Sequence, residues 1–352
     1  MTVVKNGKAV KTFANRTDYL NENKAYELLR GTGLAPQLLY SYDGCVERSL
    51  VEGPLLSDLI RDPAADAPEL LRLFGLFCDW YNAFRGKTGL TLGKVRFESF
   101  VLSSGKLVCT DFDDCRTGFV EKDLASAVSQ LCLVPQPFGA QGMSAAKLFM
   151  LSASEKIKYD PEVLCQRMVP VLKAECRKAG IKYDVSEGEY LSVVCCMAGL
   201  ILAGGKNPVQ SAVRGLMTAP QRFVSVTEQG ADVPGGFEPV HTQLGAADSA
   251  GRIAEVLRKT TQPWTLVLST NMPEIPPVLL KALLCADKEE TEAVMVEAGG
   301  KVRDFPVLLR TNSAVYDLEH GSDNGKKTVT GALSRRPVKI VRLESLETQS
   351  PQ

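Results

Sequence analysis

Histidine is almost missing from this 352-residue chain, which contains only His241 and His320. None of its ten cysteines is spaced C-x-x-C. Structural zinc needs thiolates or imidazoles clustered at short fixed spacings, so a zinc framework is not expected, and the cysteines read as free, mostly buried thiols. No Ser–His–Asp or Cys–His set can be read from two isolated histidines. Net charge is missing as well: 41 basic residues balance 41 acidic ones, leaving no field to draw the molecule to nucleic acid or to an anionic membrane. The longest apolar run, Leu191 to Ala203, is too short to span a bilayer and contains glycine. The opening stretch MTVVKNGKAVK has charge but no apolar core of the signal-peptide kind, so a cytoplasmic protein without a membrane span is expected. The phosphate-loop pattern G-x-x-x-x-G-K-[ST] and the dinucleotide pattern G-x-G-x-x-G do not occur.

The length calls for two domains, and the patterning changes character midway. The first half opens with short strands that meet at turn dipeptides: VVKNGKAVKTF around Asn6-Gly7, LLYSYDGCVERS around Asp43-Gly44, and FESFVL with KLVCTDF around Ser104-Gly105. A helix is expected from about Asp18 to Arg30, and long helical stretches follow residue 120. Strands followed by helices imply an α+β arrangement. From Tyr190 onward, near-continuous strands (GLILA, RFVSV, WTLVL, AVMV, VLLR, VKIVRL) alternate with helices, the pattern of a largely parallel sheet covered on both faces. The boundary falls near residue 186, and the Gln/Ser/Pro tail after Glu344 reads as loose.

Two groups of residues carry candidate chemistry. In the first half these are Lys11 at a strand end, Glu22 on the next helix and the acidic run TDFDDC, which contains Asp111, Asp113 and Asp114. A Lys–Glu ion pair can hold a lysine toward a polyphosphate, and an aspartate at a strand end can hold magnesium; solvated surface charges are the alternative. Asp113 and Asp114 read either as a second metal site or as a solvated acidic loop. In the second half, the buried strand LILA runs into Gly204-Gly205-Lys206, where adjacent glycines let a backbone approach a ligand and present N–H groups. A plain turn is the alternative there. The turn GSDNGKK, residues 321–327, is open to the same two readings.

In their order, AVKTF, NENKAYELLRGTGLAPQLL, LVEGPLLSDLI and KLVCTDFDDCRTGFVEKDLA resemble the protein-kinase-like fold in its small bacterial branch of lipopolysaccharide-kinase and aminoglycoside-kinase relatives. The resemblance covers residues 1–186. It implies a two-lobed domain in which Lys11 is the phosphate-directed lysine, Glu22 its partner and Asp111 a metal ligand. The family's catalytic loop, H-G-D-x-x-x-x-N, has Lys94 in place of its aspartate and Ser99 in place of its asparagine, so phosphorylation is not expected.

Residues 187–345 resemble the molybdenum-cofactor guanylyltransferase (MobA-type nucleotidyltransferase) family, through GLILAGGK, WTLVLSTNMPEIPPVLLKALL and KVRDFPVLLRTNSAVYDLEHG taken in order. The resemblance implies an α/β, Rossmann-like nucleotidyltransferase fold followed by a tail at 346–352. It places Leu202, Ala203, Gly204, Gly205 and Lys206 at the nucleotide loop and Asn271 at the position of the magnesium-binding aspartate. Gly251 corresponds to a glycine of the base-side loop. The partners implied are a nucleoside triphosphate, GTP or CTP, a molybdopterin-type acceptor, and Mg²⁺ as cofactor. An amide at 271 is a poor magnesium ligand, although Glu274 or Asp248 could compensate. The loop's arginine and lysine have no secure counterpart, Arg214 being only the nearest cation. Three functions stay open: a nucleotidyltransferase with a kinase-like accessory domain, a non-catalytic nucleotide-binding protein built from two enzyme-derived domains, and a small-molecule kinase.

Overall fold

The computed structural model describes all residues except 1, 6, 43, 134–135, 204–212, 214–215, 228–232, 246, 271, 273–274, 287, 289 and 345–352. The chain divides into two compact units, Met1–Tyr183 and Asp184–Gln352. Both contain helices and strands. The first carries small antiparallel sheets, and the second a seven-stranded, mostly parallel sheet.

In the first unit, β1 (Thr2–Lys5), β2 (Lys8–Thr12), β3 (Leu38–Tyr42) and β4 (Cys45–Ser49) form an antiparallel sheet in the order β1-β2-β4-β3. Gly7 and Gly44 make the turns at positive φ, which only glycine adopts freely. Helix α1 (Arg16–Leu28) follows β2, and the Asn15 side chain accepts a hydrogen bond from Thr17 N at its start. The helical part comprises α2 (Leu56–Arg61), α3 (Ala67–Thr88), α4 (Val120–Leu133), α5 (Ala140–Lys156) and α6 (Pro161–Lys178). The hairpin β5 (Phe100–Ser103) and β6 (Lys106–Cys109) precedes α4. Helix α3 repeats aromatic residues at helical spacing, and Phe74, Phe77, Trp80, Tyr81 and Phe84 are all buried. Phe77 and Trp80 meet Phe100 edge-on, at centroid distances of 5.2 and 4.8 Å. Phe112 stacks beside Phe84. This aromatic cluster anchors the segment that follows β6.

The second unit opens with α7 (Val185–Val194), which delivers β7 (Met197–Leu202). The rest comprises β8 (Gln221–Val226), β9 (Glu238–His241), α8 (Ser249–Leu257), β10 (Trp264–Ser269), α9 (Pro277–Cys285), β11 (Ala293–Ala298), β12 (Lys301–Arg310), α10 (Thr311–Asp323), α11 (Val329–Ala332) and β13 (Val338–Arg342). The sheet order is β13-β11-β12-β10-β7-β8-β9. Every neighbouring pair is parallel except the two made by β12, which runs against β10 and β11. All six residues of β7 are buried, so both of its faces are covered. On one face, Ala198, Leu200 and Leu202 join Val267, Val307 and Leu309 with α8 and α10 in one apolar core.

Two features of this sheet differ from the sequence reading. Strand β9 is a short edge piece, EPVH, whose proline and charged neighbours hid it. The antiparallel direction of β12 follows from Gly299-Gly300, both at positive φ, which close a two-residue hairpin after β11. All ten cysteines are thiols rather than disulfides, and seven of them are buried.

Candidate functional sites

The first site lies in the N-terminal unit, where β2, α1 and the loop after β6 converge. The ammonium of Lys11 is 3.0 Å from Glu22 Oε2, 2.6 Å from Asp111 Oδ1 and 3.1 Å from Asp113 Oδ2. The structure therefore joins the three residues singled out from the sequence. Helix α1 fixes the loop from its side: Asn21 donates to the Asp113 carbonyl at 3.0 Å, and Phe112 N donates to Glu22 Oε2 at 2.8 Å. Phe112 itself is wedged against Tyr26.

The missed residue is Arg96. Its Nη1 lies 3.1 Å from Asp111 Oδ2 and 2.8 Å from Asp113 Oδ1, and its Nη2 donates to Asp114. Gly93 allows this approach: it has φ +73°, and a Cβ there would stand 2.2 Å from the Asp114 carbonyl oxygen. Thr91 and Arg116 exchange backbone hydrogen bonds, at 2.8 and 3.1 Å, which tie the two segments together. From α4, Asp123 accepts from Leu92 N and from the Tyr81 hydroxyl, both at 2.7 Å. Arg96 is invisible to local patterning because its partners lie 15 to 18 residues downstream. Lys94, aligned with the missing catalytic aspartate, reaches instead for Glu175 on α6 at 3.6 Å. Ser99 is buried, and its carbonyl accepts from Thr110.

Electrostatics follow from this geometry. Burial pushes the Glu22 carboxyl up to about 7, against the pull of Lys11. Burial also works against the charge on Lys11 and Arg96, but the surrounding carboxylates outweigh it and hold both cations above their ordinary values. Asp113 lies below the usual carboxylate range: Arg96 and Lys11 more than offset its burial.

The second site lies at the carboxyl edge of the large sheet. From β7 the chain winds outward through β8 and β9, then crosses back to place β10 on the other side of β7. Such a reversal opens a crevice outside the carboxyl ends of the two strands where it occurs. Leu202 and Ser269 are paired there, and Thr270 N donates to the Leu202 carbonyl at 3.1 Å. Leu202 and Ala203 thus stand at the mouth of the crevice. Gly204, Gly205, Lys206 and Asn271, with Arg214 and Glu274, lie outside the described residues, as does the tail after Glu344.

Sequence reading also missed Arg252, in the first turns of α8. It is 2% exposed, and its Nη2 donates to the carbonyls of Ala203 and Ser225, both at 2.9 Å. Its Nε meets Ser225 Oγ at 3.2 Å. No carboxylate among the described residues lies within ion-pair distance of it, and burial lowers its basicity. Asp248 caps α8 through Gly251 N at 2.9 Å and accepts from Ser322. It is therefore committed to structure rather than to a cation. A Cβ at Gly251 would stand 2.4 Å from the end of the Leu244 side chain, which would have to move to admit it.

Beside the crevice is a cavity of about 720 Å³, lined by Ser269, Leu279, Val296, Arg303, Phe305 and Pro306 among others. At its wall the register of β12 against β11 jumps from Met295↔Val307 to Val296↔Arg303, which leaves residues 304–306 without partners in that ladder.

The implied Mg²⁺ does not fit the N-terminal site as it stands. All four carboxylate oxygens of Asp111 and Asp113 already accept from Lys11 or Arg96. At the crevice, the residues following β10 are Thr270 and, in sequence, Asn271, which offer neutral oxygens where magnesium favours carboxylates. Among the described residues no group of three or more His, Cys, Asp or Glu side chains is arranged to hold a metal ion. No helix among them is long and apolar enough to cross a membrane.

No family model and no curated protein matches the chain. Among solved structures it is similar to Aq1419, a protein of Aquifex aeolicus VF5, at 12% identity and a TM-score of 0.35, over 43% of this chain and 89% of that one.

Proposed function

We propose that the chain is a nucleotide-binding protein of MobA-type nucleotidyltransferase ancestry that does not catalyse transfer, joined to a kinase-like accessory domain that does not phosphorylate. The observation that carries this reading is the reversal of the sheet between β7 and β10. It brings Leu202, at the end of β7, and Ser269, at the end of β10, side by side at one crevice, as nucleotide binding requires. Arg252 supports it with a buried positive charge directly beneath Ala203. The guanidinium is hydrogen-bonded to neutral oxygens and forms no ion pair among the described residues, and its field, opposed in part by Glu255, favours an anion at the crevice mouth. Nucleotidyl transfer also needs charge on the leaving pyrophosphate and the α-phosphate, and neutral Asn271 does not recruit the ion that supplies it. The neighbouring cavity has a volume suited to a small second ligand. A molybdopterin-type phosphate ester would meet one cation there, Arg303.

Calorimetric titration of the full chain with GTP, CTP and ATP, each with and without Mg²⁺, tests the reading. Saturable binding of at least one triphosphate is expected, with no pyrophosphate released on incubation with molybdopterin. Absence of saturable binding to all three would overturn the nucleotide reading. Pyrophosphate release would overturn the non-catalytic one.

A further inference from the structure

The resemblance places a divalent ion at Asp111, yet the geometry there already contains a cation. Arg96 bridges Asp111 Oδ2 and Asp113 Oδ1 through one nitrogen and reaches Asp114 through the other. Lys11 takes the remaining oxygens of Asp111 and Asp113. We propose that Arg96 is a tethered cation seated in the position of a divalent metal, and that it seals the N-terminal site against metal ions.

Three physical points carry the argument. First, magnesium demands about six oxygens at close to 2.1 Å, and each oxygen of Asp111 and Asp113 already accepts from Lys11 or Arg96, so an ion would have to displace one of these cations. Second, the guanidinium is planar and presents donors in a fixed fork, so one side chain serves three carboxylates where an ammonium acts as a point charge. Third, the tether is pre-set. The Thr91–Arg116 bridge, the close approach at Gly93 and the Asp123 bond to Leu92 N fix the backbone beneath Arg96. Little ordering remains when the side chain docks, so an incoming ion competes with an intramolecular partner of high effective concentration. An ion that displaced Arg96 would also leave a half-buried guanidinium without its three partners.

The site is therefore closed by its own charges. Lys11 and Arg96 neutralise most of Asp111, Asp113 and Asp114, and neither of these two cations is left to receive a phosphate. Removing Arg96 frees carboxylate oxygens and creates a metal site that the natural chain does not offer.

Mn²⁺ binding, measured by calorimetry and by the paramagnetic signal of free Mn²⁺ on the full chain without nucleotide, tests this directly. The natural chain and Asp111→Asn are expected to bind Mn²⁺ alike, since any ion held in the C-terminal unit is indifferent to Asp111. Arg96→Ala is expected to gain one site at least about tenfold tighter than any in the natural chain, and Arg96→Ala/Asp111→Asn to lose it. Arg96→Gln serves the same comparison if the alanine variant does not fold, and Arg96→Lys is expected to show a weaker gain. Mn²⁺ binding by the natural chain that disappears in Asp111→Asn would overturn the proposal. So would a folded Arg96→Ala or Arg96→Gln that binds no more Mn²⁺ than the natural chain.

Discussion

Asp123 shows how a single buried carboxylate can couple stability to pH. It is 1% exposed and accepts from Leu92 N and the Tyr81 hydroxyl. Burial raises its pKa to about 6, above its value in the unfolded chain, and the hydrogen bonds only partly resist that rise. The folded state therefore binds the extra proton, so this group's contribution is fully present below about pH 4 and is lost as pH rises through 6. In urea unfolding from pH 4 to 7, the stability difference between the natural chain and Asp123→Asn is expected to shift by about 2–3 kcal/mol, with the natural chain losing ground as pH rises. A pH-independent difference would mean that Asp123 is not protonated in the fold. At this scale the sequence was half legible. Lys11, Glu22 and Asp111 could be named because strand ends, helix positions and acidic runs leave local marks. Arg96, Asp123 and Arg252 could not, since each acts on backbone or carboxylates far along the chain and none sits in a recognisable local pattern.

Elements were easier to read than their directions. Hairpins announced themselves through Asn6-Gly7, Asp43-Gly44 and Ser104-Gly105, because turn dipeptides are a local requirement. Strands β7, β10 and β11 stood out because burial on both faces demands continuous apolar residues, whereas the edge strand β13 was legible from its Val and Ile content alone. Strand direction is a property of connections, and the Gly299-Gly300 signal that reverses β12 looks the same as an ordinary glycine loop until its neighbours are known. Helix packing is likewise set by contacts that composition does not display. Where α5 crosses α4, a Cβ at Gly142 would stand 2.5 Å from the Leu131 carbonyl oxygen, which is backbone and cannot swing aside. Gly142→Ala is expected to destabilise the N-terminal unit by about 1–3 kcal/mol, read as a lower urea midpoint, even though alanine is the better helix former. An unchanged midpoint would show that α4 and α5 can separate without cost.

Across the whole chain, if a nucleotide binds as proposed, the carboxylate partners of Lys11 and Arg96 and the neutral partners of Arg252 favour the C-terminal unit. In the N-terminal unit Lys11 and Arg96 are each met by two or more carboxylates, so neither is left to attract phosphate. In the C-terminal unit Arg252 is held by carbonyl and hydroxyl oxygens alone, directly behind the crevice. A ligand that binds only the folded state raises stability by RT ln(1 + [L]/Kd), about 2.7 kcal/mol at a hundredfold excess over Kd, so saturating triphosphate should raise the melting temperature measurably. That shift is expected to persist in Asp111→Asn and Arg96→Ala and to disappear in Arg252→Gln. Arg252→Lys, which keeps the charge, should restore part of it. The ratio of GTP to guanosine affinity separates an electrostatic role from a structural one. If Arg252 acts through its field, Arg252→Gln weakens GTP while leaving guanosine unchanged; if it only braces the ends of β7 and β8, both weaken together. A nucleotide-induced shift lost in Asp111→Asn and kept in Arg252→Gln would move the binding site to the other unit.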